Sequence, residues 1–148
     1  MSELSHVNEA GDVQMVDVGD KPLSRRRAVA RATVRMAPET AGRLRALPKG
    51  DALVTAQVAG IMAAKRTSEL IPLCHPLPLS SVEVSLAVGD AAVEVVATVE
   101  TIAQTGVEME ALTAVSIAAL TVYDMAKAVD KTLAVTDVML VEKTKEPV

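Results

Sequence analysis

The stretch SSVEVSLAVGDAAVEVVATVETI, from Ser80 to Ile102, holds two alternating runs around Gly89-Asp90. In Ser80–Val88, Val82, Val84, Leu86 and Val88 share one face against Glu83, Ser85 and Ala87. In Ala92–Ile102, Val93, Val95, Ala97 and Val99 do the same. A period of two belongs to strands that bury one side. A short turn containing glycine makes such strands antiparallel neighbours. Downstream, Gly106–Lys131 is rich in Ala, Leu, Met and Glu and reads as a long helix. Thr132–Lys143 is rich in β-branched residues and reads as a last strand.

Upstream of the hairpin, Lys65–Pro78 (KRTSELIPLCHPLP) carries Pro72, Pro76 and Pro78 and reads as a loop, because proline fits neither a helix interior nor a central strand. Asp51 caps a predicted helix to about Ala64, with Leu53, Val54, Val58, Ile61 and Met62 as its apolar stripe. Pro48-Lys49-Gly50 separates it from a helix that starts with Pro38 and runs to about Ala46. A strand covers Ala28–Met36, with its even-numbered residues on the apolar face. Residues 1–24 show no period and read as a loosely ordered arm, leaving 25–148 as a single domain. The order is β-α-α-β-β-α-β. That is α+β, a ferredoxin-like antiparallel sheet with helices on one face. Its other face is rich in Val, Ala and Thr, so another subunit is expected to cover it.

Composition narrows the function. The chain has 148 residues, half of them hydrophobic, and a net charge of -4, which argues against a general nucleic-acid binder. Tyr123 is the one Phe, Trp or Tyr present, so no base-stacking platform exists. Cys74 is the only cysteine, which excludes an internal disulfide and suits a reducing compartment. No apolar leader opens the chain, and the longest apolar stretch, Ala111–Val122, is too short and too interrupted to span a bilayer. The expected location is the cytoplasm, with no membrane partner.

Charge divides by position. Residues 1–66 hold eleven Lys/Arg and seven Asp/Glu, a balance of +4; residues 67–148 hold four and twelve, a balance of -8. A solvated acidic surface explains this. So does a composite site where basic side chains meet carboxylates, as acid/base work on an anionic substrate requires.

The individual candidates are equally two-sided. His75 in its proline-fixed loop is either a structural histidine or a rigidly placed acid/base group. Cys74 beside it reads as an inert thiol or a nucleophile, and the adjacent pair has no spacing for a metal site. Glu108 and Glu110 sit where carboxylates favour a helix N-terminus. Asp124 and Lys127 have the spacing of an ordinary surface ion pair. No glycine-rich phosphate loop occurs, so phosphate would be held by Arg26, Lys49, Lys65, Arg66 or Lys127. On one helix, Glu110 and Asp124 are only about 40° apart around the axis but roughly 21 Å apart along it. A small ligand cannot reach both in one chain. If both ends work, a larger ligand or a second subunit completes the site.

Four stretches go further. They are Met15-Val16-Asp17-Val18, Lys49-Gly50-Asp51, AGIMAAKRTSELIPLCHPLPLSSVEV from Ala59 to Val84, and TGVEMEALTAVSIAALTVYDMAKAV from Thr105 to Val129. Together they resemble the molybdenum cofactor biosynthesis protein C (MoaC) family, over about Met15 to Lys143. The resemblance implies a cyclic pyranopterin monophosphate synthase. It would convert 3′,8-cyclo-7,8-dihydro-GTP, supplied by an upstream radical enzyme, into cyclic pyranopterin monophosphate and pyrophosphate. It also implies a homohexamer, a trimer of dimers with sites at subunit interfaces.

Carried over by position, Asp124, Lys127 and Lys49 are the catalytic residues. Leu73, Cys74, His75, Glu108, Met109 and Glu110 line the substrate site, and Arg26, Lys65 and Lys143 contribute to binding. The SRRRAVARA stretch and the KTKEPV terminus are less alike. No cofactor is required, no metal cage is expected, and Mg²⁺ would accompany only the triphosphate. Burial and mutual contact are expected to move Asp124 and Lys127 toward neutral pKa values. From the residues alone, a non-catalytic ferredoxin-like subunit binding an anionic ligand or partner enzyme ranks ahead; with the resemblance, the synthase does.

Overall fold

A computed structural model describes residues 4–148; residues 1–3 of the arm lie outside the described residues. The strands are β1 (Ser24–Arg35), β2 (Leu79–Val88), β3 (Ala92–Ala103) and β4 (Ala134–Pro147). The helices are α1 (Pro38–Ala41), α2 (Ala52–Lys65), α3 (Thr67–Leu70) and α4 (Glu108–Ala126). The sheet is antiparallel throughout, in the order β2-β3-β1-β4. The α+β ferredoxin-like expectation is met, with α2 and α4 packed on one face.

The alternation read from the sequence sets this register. Ala28 pairs with Val99, Ala30 with Ala97, Ala32 with Val95 and Val34 with Val93, and all eight are fully buried beneath the helices. The opposite face carries more charge than expected. Arg27 pairs with Glu100 and Glu142, and Arg31 with Glu94, flanking Val29. Exposed pairs of this kind add little stability singly, but they fix which side chains stand opposite. β4 departs from regular pairing at two points along β1, and Asp137 nearby has φ 54°, so the strand bulges and twists there.

Two readings of the helices need correction. α1 spans only one turn, because Leu44 and Leu47 enter the core through irregular turns instead of continuing a helix to Ala46. The stripe assigned to α2 is largely on the wrong side. Leu53 is buried and Ile61 half-buried, but Val54, Val58 and Met62 face outward, about half exposed. Ala52, Ala56, Gly60, Ala63 and Ala64 point inward instead. A Cβ on Gly60 would lie 3.1 Å from the Ala114 carbonyl oxygen and 3.3 Å from Ala118 Cβ. The helices approach too closely for large side chains, so small residues take the buried stripe.

The loop Lys65–Pro78 also contains the short α3. Thr67, fully buried there, donates its hydroxyl to the Ala63 and Ala64 carbonyls. By length and composition the whole of α4, Glu108–Ala126, would pass for a membrane-crossing helix. Its place is the core, where Ala111, Ala114, Val115, Ala118, Ala119 and Val122 are fully buried under β1, β3 and α2.

Asp130, just beyond α4, closes the structure at one end. Its Oδ2 accepts from Ala37 N–H and Thr40 Oγ1, both at 2.8 Å, and its Oδ1 from Thr132 N–H and Oγ1. These bonds satisfy a nearly buried carboxylate and hold its pKa well below the usual aspartate range, with the Thr132 hydroxyl contributing most.

Candidate functional site

The expected residues gather chiefly at the two ends of α4. At its C-terminal end, Asp124 Oδ2 accepts from Lys49 Nζ at 2.8 Å and Asp124 Oδ1 pairs with Lys127 Nζ at 3.0 Å. Lys127 lies one turn on, at the helix C-cap, where a cation complements the helix dipole. Lys49 reaches the pair from the turn Leu47-Pro48-Lys49-Gly50. Reciprocal backbone bonds between Leu47 and Gly50 close that turn, and Gly50 adopts φ 116°, a conformation that disfavours side chains. Proline on one side and glycine on the other thus aim the lysine.

This cluster is open, not buried: all three side chains are about half exposed. The Lys49 hydrogen bond, then that of Lys127, holds the Asp124 carboxyl below its ordinary range. The expected drift of Asp124 toward neutrality is therefore reversed in this chain. Two ammonium donors favour the charged carboxylate, and burial is too slight to oppose them.

At the other end, a cavity of about 380 Å³ lies against the first turn of α4. Leu73, Cys74 and His75 form one wall and Glu108, Met109 and Glu110 another. The loop before β2 is fixed by Thr101 Oγ1, which donates to the Pro78 carbonyl at 2.5 Å, and by Cys74 N–H, which donates to Ile71. Glu110 is almost fully buried, its Oε1 has no hydrogen-bond partner, and its Oε2 accepts weakly from Cys74 Sγ at 3.8 Å.

Burial, with help from the Glu108 charge, pushes the Glu110 carboxyl up. Burial and then the Glu110 charge push the Cys74 thiol up to about 11. A raised pKa keeps the cysteine a thiol at neutral pH and favours the inert reading over the nucleophile. Glu108 folds its carboxylate back over Gly106, where a Cβ would collide with it.

The remaining wall is one the sequence reading did not assign. His6, Val16, Val18 and Lys21 of the arm and Thr105 and Gly106 before α4 complete the cavity. The signal was available in Met15-Val16-Asp17-Val18, which carries the family resemblance without offering any obviously reactive side chain beyond Asp17.

Three expected binding residues stand apart from both clusters in this chain. Arg26 lines a separate cavity of about 200 Å³ with Arg25, Thr101 and Glu146; its Nε is buried without a partner and its NH2 donates to the Gln104 carbonyl at 3.5 Å. Lys65 lines a groove beside Ile61, Leu77 and Leu79. Lys143 is exposed on β4, opposite Ala28. Among the described residues, no three His, Cys, Asp or Glu side chains gather as a metal cage.

Comparison with known proteins agrees with the motifs. The MoaC family model matches residues 15–146. A cyclic pyranopterin monophosphate synthase of Roseiflexus castenholzii is 57% identical over 97% of this chain and 94% of its own length. The synthase of Thermomicrobium roseum is 56% identical over 97% of this chain and 89% of its own length. That of Streptomyces avermitilis is 58% identical over 95% and 84%. The matched region begins in the arm, takes in all four helices and ends within β4, so the Lys49–Asp124–Lys127 cluster and every cavity-lining residue but His6 fall inside it: the chain belongs to the MoaC family.

Proposed function

We infer that the chain is a cyclic pyranopterin monophosphate synthase of molybdenum cofactor biosynthesis. The observation that carries this reading is the family match over residues 15–146, joined by synthases 56% to 58% identical over nearly the whole chain. The substrate proposed is 3′,8-cyclo-7,8-dihydro-GTP from an upstream radical enzyme, and the products are cyclic pyranopterin monophosphate and pyrophosphate.

The two clusters divide that chemistry. Rearrangement of the purine-derived rings needs a proton acceptor and a proton donor near each other. Asp124 is held as a carboxylate and can accept; Lys127 and Lys49, each beside it, can donate and supply positive charge. Closing the cyclic phosphate forms a bond from a substrate hydroxyl oxygen to the α-phosphorus as the hydroxyl's O–H bond breaks and its proton passes to a base. The bond from that phosphorus to pyrophosphate breaks, and its electron pair leaves with the pyrophosphate. Cations stabilise the departing charge; Arg26, Lys65 and Lys143 are proposed for this work with the two lysines. The Glu110 cavity would receive the purine-derived part through polar contacts, since no Phe, Tyr or Trp side chain lines it. Mg²⁺ would enter with the triphosphate rather than on a cage of the protein's own.

The clusters lie at opposite ends of α4, so a complete site is proposed to take one end from each of two subunits, within a hexameric trimer of dimers. The outward apolar residues Val54, Val58 and Met62 on α2, and Val138–Val141 on β4, support such contacts. The cytoplasm is proposed as the location. It suits a single thiol, and a triphosphate does not cross membranes unaided.

The test is turnover of 3′,8-cyclo-7,8-dihydro-GTP, following pyrophosphate and the cyclic pterin product together. Equal appearance of both is expected. Neither appearing from folded, assembled protein would favour a non-catalytic subunit that binds an anionic ligand or partner enzyme.

A further inference from the structure

Among the described residues, the arm is tied to the loop before β2 and to the segment after β3 by two hydrogen bonds, both made through its backbone. The Val16 carbonyl oxygen lies 2.5 Å from His75 Nε2. The Gly19 carbonyl accepts from Gln104 Nε2 at 3.1 Å. A carbonyl can only accept, so the ring nitrogen facing Val16 must carry a proton. His75 thus spends its Nε2–H on the arm, and Nδ1 is the only ring atom left for other work. Val16 and Val18 both line the cavity. The arm also has local order of its own. Gly19 N–H donates to Asp17 Oδ1 at 2.8 Å, Lys21 N–H to the Val18 carbonyl at 3.0 Å, and Gln14 N–H to the His6 carbonyl at 2.7 Å. Such a segment has few buried contacts of its own, so side-chain ties at its ends largely decide whether it stays in place.

We propose that His75 is a positioning residue: with Gln104 it fastens residues 15–19 as a movable wall of the ligand cavity, and it does not transfer protons in the reaction. The proposal rests on the reading of this cavity as the substrate site, but the latch itself can be measured without turnover. An imidazole whose Nε2–H is committed to a carbonyl would have to break that bond, and release the wall, before using that proton.

The test compares His75→Ala, His75→Gln and Gln104→Leu in the full-length, assembled protein. Glutamine can place an amide N–H near the position of the imidazole Nε2–H and cannot act as an acid or base at neutral pH. Backbone amide hydrogen exchange is read for Gln14, Gly19 and Lys21, and steady-state kinetics are measured with 3′,8-cyclo-7,8-dihydro-GTP. In His75→Ala and Gln104→Leu, exchange at these amides should rise roughly tenfold, as expected for losing one net hydrogen bond. KM should rise with it, while kcat stays within about threefold. His75→Gln should restore slow exchange and a KM near that of the parent.

Unchanged exchange in His75→Ala would overturn the latch, whatever the kinetics. A fall in kcat of about a hundredfold or more in His75→Gln, with slow exchange preserved, would make His75 a proton-transfer residue and overturn the positioning role. If the protein turns over no substrate at all, the exchange arm still decides the latch, and the failure then belongs to the functional reading.

Discussion

Lys49 Nζ donates to Asp124 Oδ2 at 2.8 Å across 75 residues of chain, so a proline-glycine turn and the last turn of α4 meet at one carboxylate. With Lys127 on the other oxygen, Asp124 sits between two cations and remains charged. Asp124→Asn keeps the shape and removes the charge. We expect folded, assembled protein that still binds substrate and loses about 10²- to 10⁴-fold in turnover, the usual range for removing an acid/base group. Circular dichroism, size-exclusion chromatography and calorimetric binding would check the first part, and product formation the second. Unchanged turnover would remove Asp124 from the chemistry.

Asp130 should show up in stability, not in turnover. Its carboxylate satisfies Ala37, Thr40 and Thr132 and has a folded pKa below its unfolded one. Its contribution is therefore fully present above the ordinary aspartate pKa and is lost as pH falls through that value toward the folded one. Asp130→Ala should cost about 3 kcal/mol, since it strands buried donors. Urea unfolding from pH 7 down to pH 2 should show the gap between parent and variant narrowing with acid.

Glu110 has the opposite sign. Burial raises its folded pKa above the unfolded value, so the folded state binds the extra proton. Its share of stability is greatest below the ordinary glutamate pKa and declines as pH rises from there through the raised folded value. Glu110→Gln should flatten that slope. Thermal unfolding of both proteins from pH 4 to pH 8 tests it, and parallel curves would refute the assignment.

Gly60 lies at a close approach between α2 and its neighbours. A Cβ there would lie 3.0 Å from Val84 Cγ2 and 3.1 Å from the Ala114 carbonyl. Alanine gains about 1 kcal/mol in helix propensity, but overpacking costs about 1–3 kcal/mol. Because a backbone carbonyl cannot simply rotate away, Gly60→Ala should destabilise by about 1 kcal/mol net, read as a lower urea midpoint. A higher midpoint would mean that the helices separate without strain.

The sequence announces the sheet well because the physics is local. Val93, Val95, Ala97 and Val99 alternate, and alternation alone puts them under the helices. It misleads on α2, where ranking by hydrophobic size picks Val54, Val58 and Met62. The buried side is chosen instead by how near α4 comes, which is a property of the pair of helices. In the site, the resemblance names residues at both ends of α4, while the open, charged state of Asp124 depends on Lys49 arriving from a distant turn. Val16, whose contribution to His75 is its carbonyl, offers no side-chain signal for that contact. Asp130 escapes for a related reason, since its partners Ala37 and Thr40 lie at least 90 residues away.

The helix α4 also sets a limit on how this chain can vary in length. Glu110 and Asp124 are tied to one rigid rod, so a one-residue insertion between them would turn one end by about 100° against the other and displace it by about 1.5 Å. It would also push alanines out of the contact with α2. The Gly89-Asp90 turn, far from either cluster in the chain, has no such duty and can absorb extra residues at little cost. Descendants of this sequence should therefore accumulate insertions at the hairpin tip and keep the spacing of α4 as a fixed gauge.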